Sequence, residues 1–136
     1  MNLNPAQATQ PRFTTLDEFV QQYLLAVARY GEEDFRWCRQ WWKHSAAVVQ
    51  LDALWRSFEG YAVEPDAWAM AVWWRDYYHP IWREVTRANG TFSRCNDQAG
   101  THEQGRRRTT EHPPSALFPT EVTIAAANYK VLASED

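Results

Sequence analysis

The chain has 136 residues, a formal net charge of −3 and a pI near 5.8, which argues against a broadly basic nucleic-acid-binding face. Its length suits one domain with tails, and its hydrophobic fraction of 45% is ordinary, whereas the aromatic fraction of 15% is high and includes eight tryptophans. The sequence shows no secretory leader and no apolar run of membrane-spanning length, so a cytoplasmic protein with reduced thiols and no membrane association is expected.

Residues 1–13 are polar, contain Pro5 and Pro11, and read as an N-terminal arm. A helix follows. Thr15 suits its N-cap and Glu18 completes a capping box, and Leu16, Phe19, Val20, Tyr23, Leu24 and Val27 form one apolar stripe at three-four spacing. Gly31 ends this helix, and Glu32, Glu33 and Asp34 favour the start of a second, because carboxylates complement a helix N-terminus.

The second helix carries Phe35, Trp37, Cys38, Trp41 and Trp42 and stops near Lys43. Ser45 is read as the cap of a third, with Val48, Leu51, Leu54, Trp55 and Phe58 on its apolar face and Gly60 near its end. Pro65 and Asp66 suit the first turn of a fourth, whose apolar positions are Met70, Trp73, Trp74, Tyr77, Ile81 and Val85. Pro80 should kink or split that helix, because it lacks a backbone donor. Asn89-Gly90 signals a turn, and Thr91 to His102 form an irregular loop. A polar, basic linker precedes Leu117 to Leu132, which is either a strap against the domain or a free tail. The predicted fold is all-α: a compact bundle of four to five short helices with a zinc-clamped loop. Its predicted parts are an arm (1–13), a Trp-rich core (14–103) and a linker with tail (104–136).

The only two cysteines pair with two of the four histidines: five residues separate Cys38 from His44, and six separate Cys95 from His102. Thiolate and imidazole in that number are the ligand inventory of a closed tetrahedral zinc site. An unbroken helix would place Cys38 and His44 about 120° apart, so they can chelate together only if the chain breaks near Lys43. Two buried free cysteines beside unrelated histidines, or a Cys38–Cys95 disulfide, are the alternatives. His79 and His112 compete as ligands, with His112 the weaker. A closed four-ligand shell implies a structural metal. A catalytic one needs an open position, with His102 swung away and Asp97 or Glu103 as base.

Trp41-Trp42 and Trp73-Trp74 are adjacent pairs, so one member of each should face the core and the other its rim. Trp42 and Trp74, with Arg106, Arg107 and Arg108, are the candidate partner-binding residues. Protein is the favoured partner and nucleic acid the alternative. Asn89-Gly90-Thr91 matches a glycosylation pattern that would matter only in a secreted protein. No phosphate-binding glycine loop or nucleophile–histidine–acid set is present, so the sequence gives an enzyme no support.

The order Trp37-Cys38-x-x-Trp41-Trp42-x-His44, Leu51-x-x-Leu54-Trp55-Arg56, Trp73-Trp74-Arg75-Asp76 and Gly90-x-Phe92-x-x-Cys95, then His102, resembles a known family. It is the actinobacterial domain of unknown function numbered four-nine-one-three, common on plasmids, integrative elements and phages of that phylum. The resemblance runs from Phe19 to His102. It implies that Cys38, His44, Cys95 and His102 act together on zinc, in a mobile-element setting without an established activity. Ser45 and Thr91 stand where members often carry proline, and Tyr77 replaces a histidine or similar polar group.

Overall fold

The computed structural model describes residues 10–28 and 34–118. Two compact units are distinguished, Met1–Gly105 and Arg106–Asp136. Among the described residues, the first contains three helices and the short 3-10 turn Trp41–Lys43, and the second contains the 3-10 turn Ser115–Leu117. Among the described residues no strand forms, and no helix is long and apolar enough to cross a membrane. The all-α expectation is met with fewer helices than the four to five predicted.

Helix α1 comprises Leu16–Phe19, a π-turn Val20–Leu24 and Leu25–Val27. Thr15 caps it by accepting a hydrogen bond from the Glu18 N–H at 3.0 Å. The reciprocal half of the capping box is displaced by one residue: Glu18 Oε2 accepts from the N–H of Thr14 at 2.7 Å and from its hydroxyl at 2.6 Å. In the π-turn the Leu25 N–H bonds to the Val20 carbonyl, five residues back instead of four. The extra residue rotates the helix end by about 100°. Val27, expected in the apolar stripe, is therefore exposed, while Leu25 and Ala28 are half-buried. The predicted end at Gly31 lies outside the described residues.

The predicted second helix does not form. Residues 35–38 take no regular secondary structure, a turn follows at 39–40, and only Trp41–Lys43 coils, as a single 3-10 turn. Aromatic residues are weak helix formers because the preceding turn restricts their χ1, and here they do better in tertiary contacts. The Arg36 N–H is tied to the Thr86 carbonyl at 2.6 Å. Trp37 packs on Trp82 at 5.5 Å and edge-on to Phe92 at 5.0 Å between ring centroids. The segment thus lies between the end of one helix and the Cys95 loop, and both Trp37 and Cys38 are buried.

Helix α2, Ser45–Ala62, runs without a π-turn, and its cap position is His44 instead of Ser45. Ala47, Leu51, Leu54 and Phe58 recur at four-three-four spacing and are buried on one face. Helix α3 begins at Ala69, after a turn in which the Ala69 N–H bonds to the Asp66 carbonyl at 3.2 Å. Pro65 and Asp66 therefore precede the helix instead of opening it.

Three consecutive segments build α3: Ala69–Trp73, a π-turn Trp74–Tyr78, and His79–Thr86. Pro80 neither splits nor ends it. The π-turn places Pro80 at the start of a new α-helical register, where its missing N–H is not needed. Buried positions run Trp73, Tyr78, Trp82, Val85, with a five-residue step across the π-turn. Of the predicted face, Trp73 and Val85 are buried, while Met70, Trp74, Tyr77 and Ile81 are accordingly only half-buried.

The three helices share one aromatic core. Phe19 and Tyr23 of α1 meet Phe58 of α2 at 5.2 and 4.7 Å, and Phe58 meets Trp73 of α3 at 5.3 Å. The Trp73 indole N–H donates to Ser57 Oγ at 2.9 Å, which satisfies its polar handle inside the core. The described residues of the predicted arm are pinned by Glu59, whose carboxylate accepts the N–H groups of Arg12 (2.7 Å) and Phe13 (3.1 Å) and the Trp55 indole (3.1 Å). Most of the predicted C-terminal strap lies outside the described residues.

Candidate metal centre

The chain break at Lys43 decides the first half of the site. After the 3-10 turn, the His44 N–H bonds back to the Trp41 carbonyl at 3.1 Å while its own carbonyl accepts from Val48 at 3.0 Å. His44 therefore sits at the joint between the turn and α2, with extended backbone (φ −100°, ψ 110°). Its ring folds back over Phe92, edge to face at 5.1 Å. Cys38, on the irregular segment before the turn, reaches the same place.

A loop after α3 supplies the second half. Tight turns at Gly90 and Phe92 lead to Cys95, whose N–H bonds to the Phe92 carbonyl at 3.0 Å. Asn96 and Thr101 then exchange both backbone hydrogen bonds, at 3.1 and 2.9 Å, closing a small loop that sets Cys95 and His102 side by side. Within it, Asn96 Oδ1 accepts the N–H groups of Gln98 and Ala99, and Gly100 takes the left-handed conformation (φ +72°). Arg39 binds the Gln98 carbonyl at 3.1 Å, and Gln104 binds the Lys43 carbonyl at 2.6 Å. These two bonds link the loop to the chain on either side of the Trp41–Lys43 turn.

One ligand atom from each of Cys38, His44, Cys95 and His102 can be chosen so that all four lie within 4.8 Å of one another. Cys38 Sγ is 3.1 Å from His102 Nδ1, and Cys95 Sγ is 3.5 Å from His44 Nε2. The imidazole rings are 4.7 Å apart and inclined at 73°. Cys38, Cys95 and His44 are 1%, 4% and 7% exposed, and His102 is half-buried. The four residues can therefore hold a metal ion.

Burial favours the neutral forms of Cys38 and His44 when no metal is bound. Burial pushes the Cys38 thiol above its ordinary 9.0, and the nearby Cys95 adds to the effect against a Gln40 backbone hydrogen bond. Burial also holds the His44 imidazole below its ordinary 6.5, with His102 contributing. A buried, protonated thiol such as that of Cys38 is a poor nucleophile. A metal cation reverses that preference by stabilising thiolate directly.

The other sequence candidates lie elsewhere. His79 is exposed and packs on Tyr78 and Trp74 at 5.1 and 5.8 Å, and the exposed His112 belongs to the second unit. Glu103, one of the two possible bases, has its carboxylate paired with Arg94 at 2.8 Å. Each tryptophan pair divides as adjacency requires. Trp41 is buried and Trp42 exposed; Trp73 is buried and Trp74 sits half-buried at the rim, 4.0 Å from Tyr78. Arg106, Arg107 and Arg108 are exposed in the second unit. Residues not named as ligands complete the site: Phe92 against His44, the Glu103 carbonyl 3.5 Å from Cys95 Sγ, and the Arg39 and Gln104 ties. Of these, only the apolar Phe92 beside a turn carried a signal in the sequence.

The chain belongs to a family described as a domain of unknown function (DUF4913), whose family model matches residues 13–114. No curated protein and no solved structure matches it.

Proposed function

We propose that this member of the family is a zinc-stabilised binding module, an accessory protein of a plasmid or phage that acts in the cytoplasm on a protein partner and without catalysis of its own. The observation that carries the metal reading is the convergence of two thiols and two imidazoles, drawn from segments fifty residues apart, within 4.8 Å. Zinc bonds of about 2.3 Å to sulfur and about 2.0–2.1 Å to nitrogen put tetrahedral ligands about 3.4–3.8 Å apart. The two closest contacts, at 3.1 and 3.5 Å, bracket the lower end of that range. With all four ligands from protein and three of them buried, such a centre braces the fold. A hydrolytic metal would need a position open to water.

The binding reading rests on Trp42, 56% exposed next to the buried Trp41 at the foot of the metal loop, with Trp74 at the rim. A large indole left in water beside a rigid centre is an unused anchor of the kind that dominates protein interfaces. The basic run Arg106 to Arg108 supplies charge for an acidic partner, or for phosphate under the nucleic-acid alternative.

Metal content tests the centre. Protein purified without added metal is expected to carry one zinc per chain by mass spectrometry, and Cys95→Ser to lose it together with thermal stability. A metal-free wild type that is equally stable after zinc addition would overturn the centre. Partner capture on the wild type that Trp42→Ala abolishes would support the module. Association with nucleic acid that weakens steeply with salt would transfer the reading to that alternative.

A further inference from the structure

A second site lies away from the metal centre, where α2 ends and α3 begins. There a groove of about 580 Å³ is bordered by Gly60, Tyr61, Glu64, Asp66, Trp68 and Tyr77, among others. Its composition is unusual for a surface depression. Three aromatic rings and two carboxylates face it, and no lysine, arginine or histidine lines it.

Each part has a reason to stay in place. The Tyr61 and Tyr77 rings lie 5.3 Å apart at 53°, forming a corner. The neighbouring Tyr77 phenol pushes the Tyr61 phenol above its ordinary 10.0. The Glu64 N–H bonds to the Tyr61 carbonyl at 3.1 Å, which fixes the turn carrying Glu64. Trp68 supports the first turn of α3, its carbonyl accepting from Val72 at 3.1 Å, yet the residue is 65% exposed. A side chain at position 60 would meet nothing within 4 Å, so Gly60 leaves that wall open.

The charges are one-sided. Neither Glu64 nor Asp66 joins an ion pair among the described residues, while nearby Asp76 is neutralised by Arg75 at 2.8 Å. Aromatic faces carry negative charge density and attract alkylammonium groups, and adjacent carboxylates strengthen the attraction. The groove is open to solvent, unlike an enclosed metabolite site that buries most of its ligand. It suits the end of an extended side chain better than a free small molecule. We propose that this groove binds the alkylammonium group of a lysine side chain, methylated or not, presented by a partner polypeptide.

This inference is independent of the metal centre and of the Trp42 surface. It is tested by NMR on the ¹⁵N-labelled full chain as purified, following the Trp68 indole N–H and the Gly60 amide. The probes are three tripeptides, acetyl-Gly-Lys-Gly-amide with the lysine free, trimethylated or Nε-acetylated. The two cationic peptides are expected to give saturable shifts at both signals, with the acetylated one at least about tenfold weaker. Trp68→Ala is expected to weaken the cationic peptides by about tenfold. Glu64→Gln combined with Asp66→Asn, which preserves shape, is expected to weaken them about three- to tenfold. Unchanged thermal midpoints in both variants would show that the fold is intact, because the altered side chains are exposed. Equal binding of all three peptides, or shifts confined to signals outside the groove, would overturn the proposal. Free choline binding more tightly than either cationic peptide would overturn the polypeptide source.

Discussion

Gly90 offers a sharp test of how the metal loop is held to the helical core. Its backbone is not in the left-handed region, so alanine there meets a packing problem and no conformational one. A Cβ at this position would overlap the Glu84 carbonyl oxygen and lie 3.0 Å from Arg87 Cγ and 3.1 Å from the Arg87 carbonyl oxygen. Two backbone bonds depend on this approach, Gly90 N–H to Arg87 at 2.9 Å and Thr91 N–H to Glu84 at 3.4 Å. Relieving the overlap must stretch them, at about 1 kcal/mol each, consistent with the about 1–3 kcal/mol cost of overpacking. Alanine recovers about 0.4–1 kcal/mol by restricting the unfolded chain, so Gly90→Ala should destabilise by about 1–2 kcal/mol. For a unit of this size that lowers the melting temperature by roughly 4–16 °C. The displacement should also reach the metal centre, because Phe92, fully buried two residues on, touches His44 and precedes Cys95. Thermal unfolding by circular dichroism, paired with zinc competition against a chromophoric chelator, reads both effects. A variant within about 0.5 kcal/mol of wild type and with undiminished metal affinity would refute the reasoning.

Other consequences are equally open to measurement. Replacing Glu59 by alanine removes the acceptor shared by Arg12, Phe13 and Trp55. It should cost about 1–3 kcal/mol and expose the chain near residue 12 to proteolysis; wild-type resistance would contradict that role. Ser57→Ala strips the buried Trp73 indole of its acceptor and should cost about 1–2 kcal/mol in denaturant melts; a neutral result would mean that another acceptor takes over. In metal-free protein, the depressed His44 imidazole contributes stability that is complete above pH 6.5 and lost as pH falls below it. The raised Cys38 thiol contributes stability that is complete below pH 9.0 and lost as pH rises past it. Melting temperature against pH should therefore fall on both sides with chelator present. Zinc should abolish the alkaline fall, because coordinated thiolates have already given up their protons. An alkaline limb identical with and without zinc would count against coordination by Cys38.

Much of the site was readable because its chemistry is carried by residue type. Two cysteines and two histidines are conspicuous in 136 residues, and the structure gathers all four. Thr15 announced its cap, and Leu51, Leu54 and Phe58 announced their face, because side-chain spacing maps directly onto a regular helix. The same spacing misled wherever the helix was irregular. Each π-turn adds a residue to one turn, so Val27 rotates out and Tyr78 rotates in, and no local pattern marks the insertion.

What the sequence determined by itself was the inventory: an aromatic helical core, a break after Lys43, and four metal-ligand side chains with no spare thiol. Only the tertiary structure decided that residues 35–38 form no helix, because the segment is held by Trp82, Phe92 and the Thr86 carbonyl, all more than forty residues away. The same long-range contacts place Cys38 against His102. Packing of α2 against α3 likewise leaves Trp68, Tyr61 and Tyr77 around a common groove. Local propensity fixes which residues are available, whereas packing between distant segments fixes which of them meet.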